Sequence, residues 1–174
     1  MKKILCILFC ILLLGGCTVN KSKDVETEPL EISGFRCVLR TTLNGLQITA
    51  DAEYMATDTI NVTFTAPETV KGMKINCKSG EYTVSYKNLE LTVDSEKMPF
   101  NMLCRSLEEC INKAQGTIAE KDENSESLVY TYTAEGHVCR LFINPETKVF
   151  EKVTVDGIDT LFFENFEYIM GQTE

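Results

Sequence analysis

The chain has 174 residues, a net charge of −9 and 44% hydrophobic residues, with 26 acidic against 17 basic side chains. An acidic surface repels phosphates, and no stretch gathers Lys or Arg into a stripe, which argues against nucleic acid as a partner. A single histidine narrows the chemistry further.

The first element is a leader. Met1-Lys2-Lys3 precedes an unbroken apolar run from Ile4 to Leu14, the charged and apolar regions of a secretory signal. At about 1.5 Å per residue that run is well short of the ~20 residues a membrane-crossing helix needs. Leu14-Gly15-Gly16-Cys17 resembles the bacterial lipobox, in which small residues admit a peptidase to the bond before a cysteine already carrying diacylglycerol. The glycine pair also suits ordinary signal cleavage, but charge, apolar length and all four motif positions agree with a lipobox, and polar residues follow. Residues 1–16 are therefore expected to leave by cleavage between Gly16 and Cys17. Cys17 becomes a lipidated N-terminus at the cell membrane, outside the cytoplasm. Each buried methylene adds roughly 0.8 kcal/mol, so two or three acyl chains make a lasting anchor. Loss of Lys2 and Lys3 takes the net charge from −9 to −11. Residues 17–31 read as the lipidated cysteine and a flexible linker, because TVNKSKDVETEPLE has little apolar content and no period. Random-coil scaling gives this linker a reach of about 20 Å.

Residues 32–169 have the length of one domain able to bury a core. Period-2 alternation dominates them: Phe35, Cys37 and Leu39; then Leu46, Ile48, Ala50, Ala52 and Tyr54 against Gln47, Thr49, Asp51 and Glu53; then Ile60, Val62 and Phe64. Met73, Ile75 and Cys77 continue the pattern, followed by Tyr82, Val84 and Tyr86 and by Leu89, Leu91 and Val93. These are half-buried antiparallel strands. Asn44-Gly45 and Asp156-Gly157 supply the positive φ that tight hairpins require, and Ser79-Gly80, Lys87-Asn88, Glu135-Gly136 and Asn144-Pro145 fit as further turns. Short connections predict that consecutive strands pair, as in a meander.

The segment MPFNMLCRSLEECINKAQG, residues 98–116, breaks the alternation, with Phe100, Leu103, Cys104, Leu107, Ile111 and Ala114 recurring at three- and four-residue steps. It predicts one amphipathic helix, with Pro99 in its first turn, Gly116 at its stop and Glu109-Lys113 paired on its outer face. Met98, Phe100, Met102 and Leu103 make its start soft and apolar. EKDENSES then reads as a charged loop, and SLVYTYT, HVCRLFI, TKVFEKVTV and IDTLFFENFEYI as four more strands. The fold class is mainly β (α+β): a curved antiparallel meander or incomplete β-barrel with one amphipathic helix packed on it.

Six strands, a helix and four more strands give an order of elements that resembles the LolA-like superfamily of outer-membrane-lipoprotein carriers and their Gram-positive lipoprotein relatives. The resemblance is carried by INVTFTAPETVKGMKI (residues 60–75), EYTVSYKNLELTV (81–93) and YTAEGHVCRLFINPETKVFEKVTVDG, and covers about residues 33 to 168. It implies a curved, incompletely closed barrel whose strand-borne apolar residues and helices line a cavity for acyl chains. It also implies that a basic residue of an early strand helps gate the cavity. Arg36 and Arg40 lie in that strand, but alternation sets them opposite Phe35 and Leu39, which departs from the gating pattern.

Signals for catalysis are weak. The single histidine, His137, follows Glu135-Gly136 at a hairpin, where a solvated turn residue is expected, and no Gly-x-Ser-x-Gly or phosphate-cradling loop occurs. Cys104 and Cys110 are six residues apart on the helix, about 120° off a common face, which does not suit zinc. The acidic run Asp122 to Glu126 lacks the glycine and distal glutamate of a calcium loop. Asn20-Lys21-Ser22 and Asn61-Val62-Thr63 match a glycosylation pattern by chance. After loss of the leader and lipidation of Cys17, Cys37, Cys77, Cys104, Cys110 and Cys139 remain, an odd number. Their apolar neighbours place them as buried, mostly reduced thiols behaving as small hydrophobes, in an envelope that does not oxidise them readily.

The expected protein is a non-enzymatic, lipid-anchored bacterial envelope lipoprotein, with no cofactor or metal. A curved sheet under one helix leaves a wedge, and an apolar wedge is a site for a hydrophobic ligand such as a lipid chain. Phe100, Leu103, Leu107, Ile111, Tyr130 and Tyr132 are its expected lining, although aromatics at strand spacing, these tyrosines and Phe162, Phe163 and Phe166 among them, also suit a core. The alternative is an envelope sensor or protein-interaction module with a packed interior and a protein partner. Mass spectrometry of the mature protein is expected to find Cys17 as the first residue, carrying diacylglycerol; an unmodified thiol there, or a later start, contradicts the anchor.

Overall fold

In the computed structural model, which describes residues 30–43, 45–55, 59–93, 101–116, 120–121, 127–134, 136–156 and 160–169, the alternating segments pair into one antiparallel sheet. Its strands are β1 (Gly34–Leu43), β2 (Leu46–Met55), β3 (Thr59–Ala66), β4 (Lys74–Lys78), β5 (Glu81–Tyr86), β6 (Leu89–Val93), β7 (Glu120–Lys121), β8 (Leu128–Ala134), β9 (His137–Ile143), β10 (Phe150–Val155) and β11 (Leu161–Tyr168), with a helix α1 (Asn101–Gly116) between β6 and β7. The two-residue β7 lies in the stretch read as a loop from sequence; a pair of residues is too short to show alternation.

Consecutive strands pair as a meander does, with one exception. The order across the sheet is β6-β5-β4-β3-β2-β1-β11-β10-β9-β8-β7. Two meanders are joined along β1 and β11, and β6 and β7 lie at opposite edges with α1 connecting them. Sixteen helical residues span about 24 Å, enough to run across the concave face from β3 to β8, both of which the helix touches. Among the described residues no helix is long and apolar enough to cross a membrane.

Local chemistry sets the turns. Ser79 (φ 52) and Gly80 (φ 80) both occupy the left-handed region that a type I′ hairpin needs between β4 and β5. Gly34 is glycine for a different reason: a Cβ there would stand 3.0 Å from the Tyr54 carbonyl oxygen on the paired strand.

Irregular register curls the sheet. Along β1, Arg36 and Val38 are two apart, while their partners Glu167 and Glu164 on β11 are three apart, so β11 carries one extra residue beside Asn165 (φ 51). Similar shifts occur where Phe150 and Lys152 of β10 face Ile143 and Phe142, and where Thr49 and Ala50 of β2 face Ala66 and Phe64. Bulges of this kind bend a strand and increase its twist. The bulge in β11 also corrects the face of an aromatic: Phe166, two positions from outward Glu164, turns back inside to stack on Phe35 at 4.8 Å between centroids.

The concave face is filled from both meanders and from α1. Phe35, Leu39, Ile48, Val62, Phe64, Ile75, Leu107, Tyr130, Leu141, Ile143, Phe150 and Val153 are its largest sealed side chains, joined in one cluster. Leu30 donates its N–H to the Ala114 carbonyl at 3.1 Å, satisfying one of the orphan acceptors of the last helical turn, and the Gln115 amide donates to the Ile32 carbonyl at 3.2 Å. The chain thus enters the sheet beside the C-terminus of α1. Phe150 is fully buried and touches the rings of Phe35, Phe163 and Phe166. Phe150→Ala is expected to cost about 3–5 kcal/mol, whereas exposed Phe162→Ala is expected to shift stability by about 0.5 kcal/mol or less; urea unfolding of both variants checks the difference.

Candidate functional site

The wedge between α1 and the sheet is where a ligand is expected. On α1, Cys104, Leu107, Cys110, Ile111 and Ala114 are all buried, a face wider than a single stripe because the sheet curves around the helix. Cys104 and Cys110, well separated around the helix, are therefore both inside. Leu107 (1% exposed), Ile111 (2%), Tyr130 (1%) and Tyr132 (5%) meet in the common core, and Cys110 Sγ lies 3.0 Å from Tyr132 Oη. Leu103 lies in α1, with its side chain outside the described residues; Phe100, Pro99, the acidic run 122–126, Gly16 and Cys17 lie outside them altogether. A pocket of about 150 Å³ opens where helix and sheet diverge, lined by Tyr54, Ile60, Cys77, Ser79, Glu108, Ile111 and Asn112. Its mouth is polar, and Tyr82 Oη donates to Glu108 Oε2 at 3.3 Å beside it.

A larger groove, about 430 Å³, runs over the opposite, convex face between Arg36, Val38, Asp51, Glu53, Asn61, Thr63, Asn165 and Glu167. It follows the β11 bulge. Arg36 pairs with Glu167 at 2.6 Å and Arg40 with Glu164 at 3.0 Å, so both arginines face away from the interior, as their alternation requires. These pairs are more than 40% exposed and contribute at most about 1 kcal/mol each. On the helix, Glu109 is held by Arg105 at 3.4 Å, on the opposite side in sequence from Lys113, its expected partner.

Other candidates resolve into ordinary surface or core. His137 is exposed, with Nδ1 3.2 Å from the Asp156 carbonyl. The three β11 phenylalanines divide: Phe163 is buried, Phe166 half-buried and Phe162 47% exposed on the convex face. Among the described residues no cluster of three or more His, Cys, Asp or Glu side chains is placed to hold a metal ion. Alternation does not mark the edge strand β6, whose Leu89 and Leu91 are 70% and 63% exposed. Their apolar pattern reads as core, and only their place at the sheet edge exposes them.

All five cysteines of the sheet and helix are buried and outside any disulfide. Burial pushes the Cys37, Cys104 and Cys110 thiols up to about 12 from 9.0, because a thiolate loses its hydration there. Asp51 adds to the effect at Cys37, Cys77 and Glu108 add to it at Cys104, and the hydrogen bond with Tyr132 partly offsets it at Cys110. Burial likewise raises Tyr132 and Tyr82. Burial thus disfavours the thiolate form of these cysteines, the form that acts as a nucleophile.

No family model and no curated protein matches the chain. Among solved structures, an uncharacterized conserved protein from Thermus thermophilus is similar at TM-score 0.52 and 10% identity, over 84% of this chain and 82% of that one. A LolA superfamily protein from Nitrosomonas europaea is similar at TM-score 0.40 and 10% identity, over 84% and 90%. A chain in the complex of the CwlD amidase with the GerS lipoprotein from Clostridioides difficile is similar at TM-score 0.45 and 16% identity, over 97% and 96%. With the Thermus protein the chain shares a fold and nothing finer.

The buried thiols of Cys37, Cys104 and Cys110 make a pH prediction. Their folded values lie above the unfolded one, so the unfolded chain releases protons that the fold retains once pH passes about 9. Stability is expected to carry the full thiol contribution below pH 9 and to lose it as pH rises from there to about 12. Urea midpoints below and within that window measure it, and a control with Ala or Val at Cys37, Cys104 and Cys110 should show a shallower fall.

Proposed function

We propose that this protein is a non-enzymatic, lipid-anchored envelope protein that works by presenting the surface of its sheet to another protein, with an interior filled by its own side chains. The supporting observation is the sealing within one core of Leu107, Ile111, Tyr130 and Tyr132, four of the six residues of the expected ligand lining. The larger concavity lies instead on the convex face, around Arg36, Asp51, Glu53 and Glu167. The lipid on Cys17 holds the sheet near the bilayer, and the linker enters beside the C-terminus of α1, where Leu30 docks.

A hydrophobic-ligand reading has one observation in its favour, the 150 Å³ pocket beside Ile111. Ligand sites occupy roughly 300–1,000 Å³, so an acyl chain requires α1 to lift from the sheet. Titration of the full-length Cys17→Ser protein with a fluorescent fatty acid separates the two readings. No saturable binding is expected, together with site-specific photo-crosslinks from convex-face positions to another envelope protein. Saturable, displaceable fatty-acid binding that is lost in Leu107→Lys overturns the filled-interior reading.

A further inference from the structure

The two edges of the sheet are unlike. β7 is two residues long, the blunt kind of edge that does not template pairing, whereas β6 is five residues long and carries the exposed Leu89 and Leu91. Among the described residues no strand lies beyond β6.

Its register shows which backbone groups face outward. Tyr86 pairs with Leu89 across the two-residue turn, Val84 with Leu91 and Tyr82 with Val93. In a two-residue hairpin the pair flanking the turn exchanges backbone hydrogen bonds, and bonded pairs then alternate with unbonded ones. Leu89, Leu91 and Val93 therefore spend their N–H and C=O groups on β5, while those of Glu90 and Thr92 point to the free edge.

We infer that β6 is a self-complementary edge through which two copies of this protein pair antiparallel about a two-fold axis at Leu91. In that register Glu90 of each copy exchanges both backbone hydrogen bonds with Thr92 of the other, four bonds in all. Leu89 faces Val93 of the second copy, and Leu91 faces Leu91, so the concave apolar faces run on from one copy to the other. The same register places Glu90 opposite Thr92; centring the axis one residue earlier would set Glu90 against Glu90, which like charge opposes. The symmetry is isologous and closed, ending at two copies. A two-fold axis normal to the membrane keeps both tethers at one height, and confinement to a bilayer raises the local concentration that a narrow interface needs. This last point rests on the lipid anchor proposed above.

Cysteine cross-linking of the full-length chain in membranes tests the register. Leu91→Cys places two thiols in an unbonded antiparallel pair with Cα atoms about 4.5 Å apart, within disulfide range. Leu89→Cys sets its thiols four residues out of register, about 13 Å apart. Mild oxidation is expected to double the mass of L91C but not of L89C or the parent chain, and the L89C/V93C double variant is expected to cross-link. No cross-link in L91C, equal cross-linking of L91C and L89C, or capture of a different protein by L91C overturns the inference. Failure of the anchor is read separately, as recovery of the parent chain in the soluble fraction.

Discussion

The pairing of β1 with β11 holds the molecule together. The strands nearest the two ends of the described chain lie side by side in the middle of the sheet, in contact from Phe35 with Tyr168 to Arg40 with Phe162. Each meander could form from local hairpins, but neither has a partner for its apolar face until this ladder closes over more than 120 intervening residues. Loop closure on that scale costs entropy before any contact returns it, and such non-local pairing is characteristic of slow β folding. The compensation lies in the aromatic seam formed when the ladder closes: Phe35 on β1, Phe150 on β10 and Phe163 and Phe166 on β11 touch one another across it. The same seam fixes where the N-terminal segment leaves, since Ile169 donates to the Gly34 carbonyl at 2.9 Å and Leu30 continues to the end of α1.

Closing the sheet in its middle leaves its two edges far apart in strand order, and α1 is the tie between them. The helix crosses the concavity that three register shifts create, and its buried cysteines, leucine, isoleucine and alanine take up the space beneath it. Small residues at Cys104, Cys110 and Ala114 let the helix backbone come close to the sheet. A curved sheet with one helix can either hold a ligand or fill itself; here the buried side chains of both join one cluster, and what is left is a pocket of about 150 Å³ where helix and sheet diverge, a groove outside and an edge strand at β6.

Much of this fold was legible in the sequence because alternation and turn residues are local signals. The strands, the helix and the outward direction of Arg36 and Arg40 follow from periods of two and 3.6 residues. The order of strands did not follow, since hairpin chemistry favours neighbours and says nothing of how two meanders join. Nor did the bulge at Asn165: period two puts Phe166 with Phe162 and Glu164, and only pairing with β1 shows the extra residue that turns it inward. The candidate site was least legible. Tyr130, Tyr132, Leu107 and Ile111 have the same pattern whether they line a cavity or pack a core, because burial is what the pattern encodes. Leu89 and Leu91 err the other way, reading as core while an edge position leaves them exposed.

Residue-resolved hydrogen exchange on the full chain tests the central claim most directly. If the β1–β11 ladder is the join on which both meanders depend, amides of β1 and β11 are the slowest to exchange and do so only with global unfolding, while β6 opens locally first. Exchange of β1 and β11 ahead of β5 and β6, with the two meanders protected independently, would contradict it.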